Sequence, residues 1–274
     1  MTCAERADIP RSFAMRPVDR LVAAAFRHGV RGRGRVAGAL YGSRPGRSVP
    51  TTLNGLRWEA DPLDWMDQRV LATGTYEPEI TQLLLDHLGP GDVLWDIGAN
   101  AGVHALSVKQ ARPEVTVVAF EPSPVHYARL CHNAAANRLE ILAFCVALAD
   151  ERTYSPFSVL DRGNSGLNSL VPWENVVYSR TFPCWCDTGT AIVRGGFAPP
   201  PNVMKVDVEG AETAVFGGMT EVLASSALRV VVFENAIDLF EQRRAASDVL
   251  IAAGFHIDGL PNGGTGLNWI ATKN

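Results

Sequence analysis

Leu94-Trp95-Asp96-Ile97-Gly98-Ala99-Asn100-Ala101-Gly102 narrows the folds open to this chain more than any other stretch. An apolar strand runs into a glycine-spaced turn, and Val103 opens a helix beyond it. A second apolar run, Val115 to Phe120, ends in Glu121, followed by Pro122. Strand, tight turn, helix and an acid-tipped second strand form the nucleoside-binding unit of an α/β sheet. Glycines admit a close backbone approach, and the distal acid accepts hydrogen bonds from ribose hydroxyls.

The type of nucleoside is argued from Asp96. A dinucleotide fingerprint places a pyrophosphate on the helix N-terminus, but here a carboxylate stands near the strand's end and Asn100 occupies the second glycine position. A phosphate is repelled there, whereas an ammonium group is held directly or through water. S-adenosylmethionine, which has an amino-acid tail and no phosphate, meets that requirement.

From Asp92 the chain alternates regularly. Apolar runs predict strands at about 93–97, 115–120, 141–146, 203–208, 229–233, 255–259 and 267–272, with helices at about 103–110, 124–137, from 211 and at 237–253. The link between the last two strands is too short for a crossover helix, so they should be antiparallel. The expected fold is α/β: a doubly wound, mostly parallel seven-stranded, Rossmann-like sheet with an N-terminal helical and hairpin cap. Residues 1–74 form the basic arm and cap, and residues 75–274 the cofactor-binding domain with an insertion at about 150–200. Within the cap, Asn54-Gly55 predicts a hairpin turn in Thr51 to Ala60; beyond it, Pro78 starts a helix that Gly89-Pro90-Gly91 stops. In the insertion, a Gly/Ser/Asn loop at 163–169 is long enough to help cover a pocket.

Charge is unevenly placed. Residues 1–50 hold ten arginines and three acids, a net +7, so the remainder carries −11 of the total −4. Arg16, Arg20, Arg27, Arg31, Arg33 and Arg35 flank Leu21 to Phe26, the pattern of an amphipathic helix that is either solvated or meets an anionic partner such as a phosphorylated carrier, an acidic glycan or a membrane surface. Cys3, Cys131, Cys145, Cys184 and Cys186 give neither a disulfide framework nor a zinc pattern, which fits a reducing cytoplasm. No apolar run reaches the roughly 20 residues of a membrane span. Twenty-two arginines against three lysines suggest a GC-rich bacterial genome. The expected partners are a small-molecule or glycan acceptor and a second copy of the chain, with no nucleic acid.

Lys205-Val206-Asp207-Val208-Glu209-Gly210-Ala211-Glu212 completes a set with Asp96 to Gly102, Glu121-Pro122 and the spaced Asn133 and Asn137. With the Gly74 to Pro78 entry, the set resembles FkbM-type S-adenosylmethionine-dependent methyltransferases over roughly residues 74–235. Trp185-Cys186-Asp187 departs from that pattern, and residues 1–50 have no counterpart in it. The resemblance implies that Asp96, Gly98, Ala99, Asn100 and Gly102 surround the methionine moiety, that Glu121 and Pro122 meet the ribose, and that Val146 and Ala147 lie near the adenine. It also implies that Glu77 lines the methionine end, although a carboxylate at a helix start has a structural use too. Asp150 is either an adenine contact or an exposed acid.

A hydroxyl that accepts a methyl group must lose its proton, and a base within hydrogen-bond reach helps. Asp207 and Glu209, at the tip of the fourth strand, are the acid–base candidates, and their repulsion should raise one of the two pKa values while Lys205 opposes the shift. Glu212 reads as a capping or packing carboxylate. Asp207, Glu234 and Asn235 also suit Mg²⁺ in kind and spacing, a variant less favoured than a metal-free base. His104 is expected near the cofactor, and His126 and His132 at the surface. Trp58, Trp65, Trp173 and Trp185 either stack on a sugar or fill the core. The expected activity is O-methyl transfer to a sugar or secondary-metabolite hydroxyl. Its rivals are a nicotinamide-dependent reductase and a non-catalytic binding module that keeps the cofactor fold.

Overall fold

The computed structural model describes residues 15–42, 48–160, 163–234, 240–260 and 268–273. The cap comprises helices α1 (Pro17–Arg27) and α2 (Arg33–Tyr41), strands β1 (Val49–Leu53) and β2 (Leu56–Ala60), and helix α3 (Trp65–Thr73). Asn54 and Gly55 take φ of 49° and 84°, the left-handed pair that a two-residue hairpin turn requires, and β1 pairs antiparallel with β2 as the sequence predicts. The hairpin buries Trp58, whose indole N–H donates to Asp67 of α3 at 2.8 Å.

After helix α4 (Pro78–His87) come β3 (Val93–Ile97), α5 (Val103–Ala111), β4 (Thr116–Phe120), α6 (Pro124–Ala136), β5 (Leu142–Phe144), β6 (Ala147–Leu148), β7 (Thr153–Val159) and β8 (Arg180–Asp187). The chain closes with α7 (Gly189–Arg194), β9 (Val203–Val206), α8 (Glu212–Gly217), α9 (Thr220–Ala224), β10 (Val230–Glu234), α10 (Phe240–Ala252), β11 (His256–Gly259) and β12 (Asn268–Thr272).

Among the described residues the main sheet has seven strands in the order β11-β12-β10-β9-β3-β4-β5. β10, β9, β3, β4 and β5 run parallel, and β12 is antiparallel to both of its neighbours. This is the doubly wound, mostly parallel sheet expected. Its central strands β3, β4, β9 and β10 are buried on both faces, whereas β11 at the edge is largely exposed. Leu94, Val117 and Val203 pack with the cap, α4, α5 and α6, while Trp95, Val118 and Met204 pack on the other side with the helices that follow β8. The chain winds one way from β3 to β5 and returns to the opposite side of β3 at β9. The crevice beyond the carboxyl ends of β3 and β9 is therefore the switch point where such sheets bind ligands.

The structure corrects several sequence expectations. The strand predicted over 141–146 is shorter, Leu142–Phe144: after Phe144 the chain leaves β4, and Ala147-Leu148, beyond the predicted strand, pairs with Cys186-Asp187 of the inserted hairpin. That hairpin, β7 with β8, makes a three-stranded sheet over its own small core, which includes Cys184 and Cys186. The strand predicted to reach Val208 ends at Val206, because the backbone turns at Glu209, with φ 54°. His126 is buried, not superficial, because the Ser123 cap draws the first turn of α6 inward and its ring bonds Ser123 Oγ at 3.0 Å. The start predicted for the last helix, at 237, and Asn235 both lie outside the described residues.

Candidate active site

Gly98, with φ 81°, ends β3 at the crevice, and a Cβ there would lie 1.8 Å from the carbonyl oxygen of Asp207. The glycine thus does more than admit a ligand: it lets the turns after β3 and β9 touch, backbone to backbone. Asp207 N–H donates to Ile97 O at 3.0 Å and fixes the same contact. Gly102, with φ 94°, makes room for Leu130 of α6, which would lie 2.4 Å from its Cβ. Asn100, between them, is also left-handed, with φ 48°.

The turn after β3 is tied to β4 through Glu121. One carboxylate oxygen accepts from Asn100 N and the other from Ser123 N, each at 2.8 Å. Burial pushes the Glu121 carboxyl up to about 7, although both amides favour its charged form. Each oxygen keeps a second lone pair for a hydroxyl from the cavity.

A cavity of about 310 Å³ opens above this floor, within the usual range for small-molecule sites. Of the residues expected to bind the cofactor, Glu77, Gly98, Ala99, Asn100, Glu121, Pro122, Val146 and Ala147 line it. Asp96 and Gly102 do not; they stand behind its wall. Asp96 is fully buried: one oxygen accepts from Ala105 N at 3.0 Å, in the first turn of α5, and the other lies 3.7 Å from Lys205 Nζ. In this structure its carboxylate satisfies a helix N-terminus and a lysine. Glu77 is left-handed, with φ 41°, and lies 3.4 Å from His104 Nε2, while His104 Nδ1 meets Thr81 Oγ1 at 3.0 Å. Asp150 is exposed and off the lining.

Lys205, Asp207 and Glu209 also line the cavity, with Glu234 beside them. Sheet register explains their meeting. Lys205 is paired with Asp96 across β9 and β3, and Val206 with Phe233 across β9 and β10, so Asp207 and Glu234 emerge side by side. Carboxylate oxygens of Asp207, Glu209 and Glu234 lie within 4.8 Å of one another, and Lys205 Nζ donates to Asp207 at 3.0 Å. Glu209 reaches the group through its left-handed backbone, not through the extended spacing assumed from the sequence. Burial and then Asp207 push the Glu209 carboxyl up to about 9; Asp207 and then burial do the same to Glu234. Burial alone would discharge Lys205, but Asp207 and Asp96 outweigh it and hold its ammonium above the ordinary lysine range. As expected, Glu212 caps, accepting from Val208 N and Gly210 N at 3.2 and 3.3 Å. Asn133 and Asn137 are structural as well, bonding Ala101 O at 3.0 Å and the Arg57 backbone.

The roof escaped sequence reasoning in detail. Asn164 to Asn168, Leu170 and Trp173 line the cavity together with Trp65 and Met66 of the cap and Tyr76 just beyond it. Asp64 hooks the two together. Its carboxylate accepts from Ser165 N at 2.9 Å and from Asp67 N at 3.2 Å, and Trp65 N donates to Gly163 O at 2.6 Å. Ser169 Oγ donates to Glu209 O at 2.7 Å, and Asn100 Nδ2 to Ser165 Oγ at 3.3 Å. Two buried atoms on the lining, Asn100 Oδ1 and Trp173 Nε1, have no hydrogen-bond partner. One is an acceptor and the other a donor, and both suit a polar ligand.

Comparison with known proteins gives a family and two relatives. A family described as "Methyltransferase FkbM domain" matches residues 96–250. Hexuronic acid methyltransferase AglP of Haloferax volcanii is 30% identical over 165 residues, 59% of this chain and 64% of that protein. 31-O-demethyl-FK506 methyltransferase FkbM of Streptomyces tacrolimicus is 33% identical over 164 residues, 62% of its own length. The match thus spans somewhat under two thirds of either relative. A solved structure, methyltransferase FkbM from Methylobacillus flagellatus KT, overlays 70% of this chain on 50% of its own at 11% identity, with a TM-score of 0.47.

Proposed function

The chain belongs to the FkbM methyltransferase family, and from that premise we infer that it is an S-adenosylmethionine-dependent O-methyltransferase acting on a hydroxyl of a sugar or secondary-metabolite acceptor. The observation that carries this reading is the cavity itself: a glycine cradle, a ribose-directed acid and a cluster of proton-binding carboxylates line one space at the switch point. The names of the relatives support the acceptor class, one referring to a hexuronic acid and the other to an O-demethylated compound.

The residues present fit the cofactor. Asn100 offers an unpartnered buried oxygen to an ammonium, Glu121 has free lone pairs for ribose hydroxyls, and Val146 and Ala147 give an apolar wall for a base. Asp96, behind the wall, keeps Lys205 charged and the α5 N-terminus capped. Bound there, S-adenosylmethionine supplies a methyl group on a cationic sulfur.

The chain's own residues do the rest. Positioning of an acceptor hydroxyl by the roof and by Trp65 and Tyr76 can contribute about 7–11 kcal/mol in favourable cases. The hydroxyl's proton passes to the Asp207–Glu209 pair, where Lys205 steadies Asp207 and burial raises the proton affinity of Glu209. The convergence of Asp207, Glu209 and Glu234 also suits a divalent cation such as Mg²⁺, the second reading of this cluster.

Turnover of S-adenosylmethionine with a panel of uronic acids and neutral sugars, read as a product heavier by one methyl group, tests the proposal. Activity that a chelator abolishes and Mg²⁺ restores favours the second reading. Binding of a nicotinamide dinucleotide in place of S-adenosylhomocysteine, measured by calorimetry, overturns both.

A further inference from the structure

The α1–α2 pair has two faces of unlike chemistry. Val22, Ala23 and Phe26 of α1 and Ala37 and Tyr41 of α2 are buried in the cap's core. The opposite stripe of α1 carries Arg20, Leu21, Ala24, Arg27 and His28, at the spacing that keeps side chains on one helical face, and all are exposed. The connecting turn exposes Val30 and Arg31, and α2 exposes Arg35, Val36, Ala39 and Leu40. Leu21 is 72% exposed, Val36 51%, Val30 49% and Leu40 39%, a concentration of solvent-facing aliphatic side chains within one short segment.

The charge on this surface is of one sign. Asp19 is the sole acid between residues 16 and 41, and it is buried, held by Arg16 at 2.6 and 2.7 Å and by the Tyr41 hydroxyl. Arg20, Arg27, Arg31 and Arg35 form no ion pair with any described residue. A purely solvated helix has no need of exposed Leu and Val, and a site for a soluble polyanion has no use for them. Arginines interleaved with aliphatic side chains complement a surface that is anionic at its headgroups and apolar just beneath.

We propose that the outer face of α1–α2 docks the protein on an anionic lipid surface, with Leu21, Val30, Val36 and Leu40 entering the headgroup boundary and Arg20, Arg27, Arg31 and Arg35 meeting lipid phosphates. This face belongs to the cap and shares no residue with the cavity lining, so the inference stands apart from the proposed reaction. No helix among the described residues is long and apolar enough to cross a membrane. The contact is therefore interfacial and reversible.

Flotation of the full chain with vesicles tests it. The parent protein floats with phosphatidylcholine vesicles containing about one third phosphatidylglycerol, does not float with phosphatidylcholine alone, and is released by high salt. The Arg20→Ala/Arg27→Ala variant binds the anionic vesicles at least about tenfold more weakly. Leu21→Ser/Val36→Ser weakens vesicle binding several-fold while leaving heparin binding unchanged, which separates a lipid surface from a soluble polyanion. All four positions are exposed, so thermal unfolding of both variants matches the parent. The proposal is overturned if the parent ignores anionic vesicles, or if the serine variant binds them as tightly as the parent does.

Discussion

The floor and the roof of the cavity are built by different means. The floor is backbone against backbone: Gly98 against the Asp207 carbonyl, Ile97 O bonded to Asp207 N, and Glu121 clasping Asn100 N and Ser123 N. The roof is a loop held at a few points, chiefly by Asp64 on Ser165 N and by Ser169 on Glu209 O. The floor can tolerate almost no change in volume, whereas the roof can shift when a single side chain is lost. A cofactor common to a family needs the first property, and an acceptor that differs between members is served by the second.

The most severe test of the floor is Gly98→Ala. Its Cβ would meet a carbonyl oxygen at 1.8 Å, so the turns after β3 and β9 must part. Gly91 has the same φ of 81° with nothing within 4 Å, so Gly91→Ala reports the backbone cost alone, about 1–2 kcal/mol. Chemical denaturation should show a loss of about 4 kcal/mol or more for Gly98→Ala, in the range reserved for severe packing defects. Equal losses at the two glycines would show that the floor is not rigid.

Asp207→Asn comes next. Removing a general base typically lowers kcat about 10²–10⁴-fold, and this substitution should leave S-adenosylhomocysteine affinity within a few-fold of the parent. Glu209→Gln should lower kcat as well. In the parent, kcat should rise as pH climbs from neutrality toward about 9, because the Glu209 carboxyl holds its proton below that point. A flat profile removes Glu209 from the role of base.

The floor was legible in the sequence because its demands are local. A strand-ending turn that must take positive φ calls for glycine or asparagine, and strand tips need acids at fixed sheet positions, so Gly98, Asn100, Glu121 and Asp207 declare themselves. Asp96 was legible as a special residue but not in its place, since the sequence does not reveal that Lys205 faces it across the sheet or that Ala105 N takes its other oxygen. The roof was hidden because its contacts join distant segments: Asp64 meets Ser165, and Trp65, Tyr76 and Trp173 line one cavity. Nothing at 64 or 165 marks either as the other's partner. The early end of the third strand at Phe144 was hidden likewise, since an apolar run does not record where its pairing with the sheet stops. In the cap, the Asn-Gly hairpin could be read at once, whereas the ion pair of Asp67 with Arg129 of α6, at 2.6 Å, could not.

Asp64→Ala probes the roof and should have a smaller effect. It removes the α3 cap, typically worth about 1 kcal/mol, and leaves the Ser165 amide without its acceptor. The expected signature is a rise in KM for the acceptor, with cofactor affinity nearly unchanged and a stability loss of about 2 kcal/mol. If cofactor affinity falls as far as acceptor affinity, floor and roof are one mechanical unit and the contrast drawn between them fails.

The finest distinction between floor and roof lies in the pH dependence of stability. In the folded chain Glu209 and Glu234 hold protons up to about 9, against 4.5 for an ordinary glutamate. Between those limits the native state binds more protons than the unfolded chain, so this contribution to stability is complete below 4.5 and is lost as pH rises through 9. The ligand-free protein should therefore melt at a lower temperature at about pH 8 than at about pH 6, other titrations being shared with its variants. Glu234→Gln, a neutral mimic of the protonated side chain, removes one source of that slope and should be more stable than the parent at about pH 8, by at least the ~1.4 kcal/mol of a single pKa unit. Asp64→Ala lowers stability at every pH and leaves the slope alone. A Glu234→Gln variant with the parent's slope would mean that Asp207, Glu209 and Glu234 relax apart in solution, and the floor would then lack the crowding that makes its carboxylates basic.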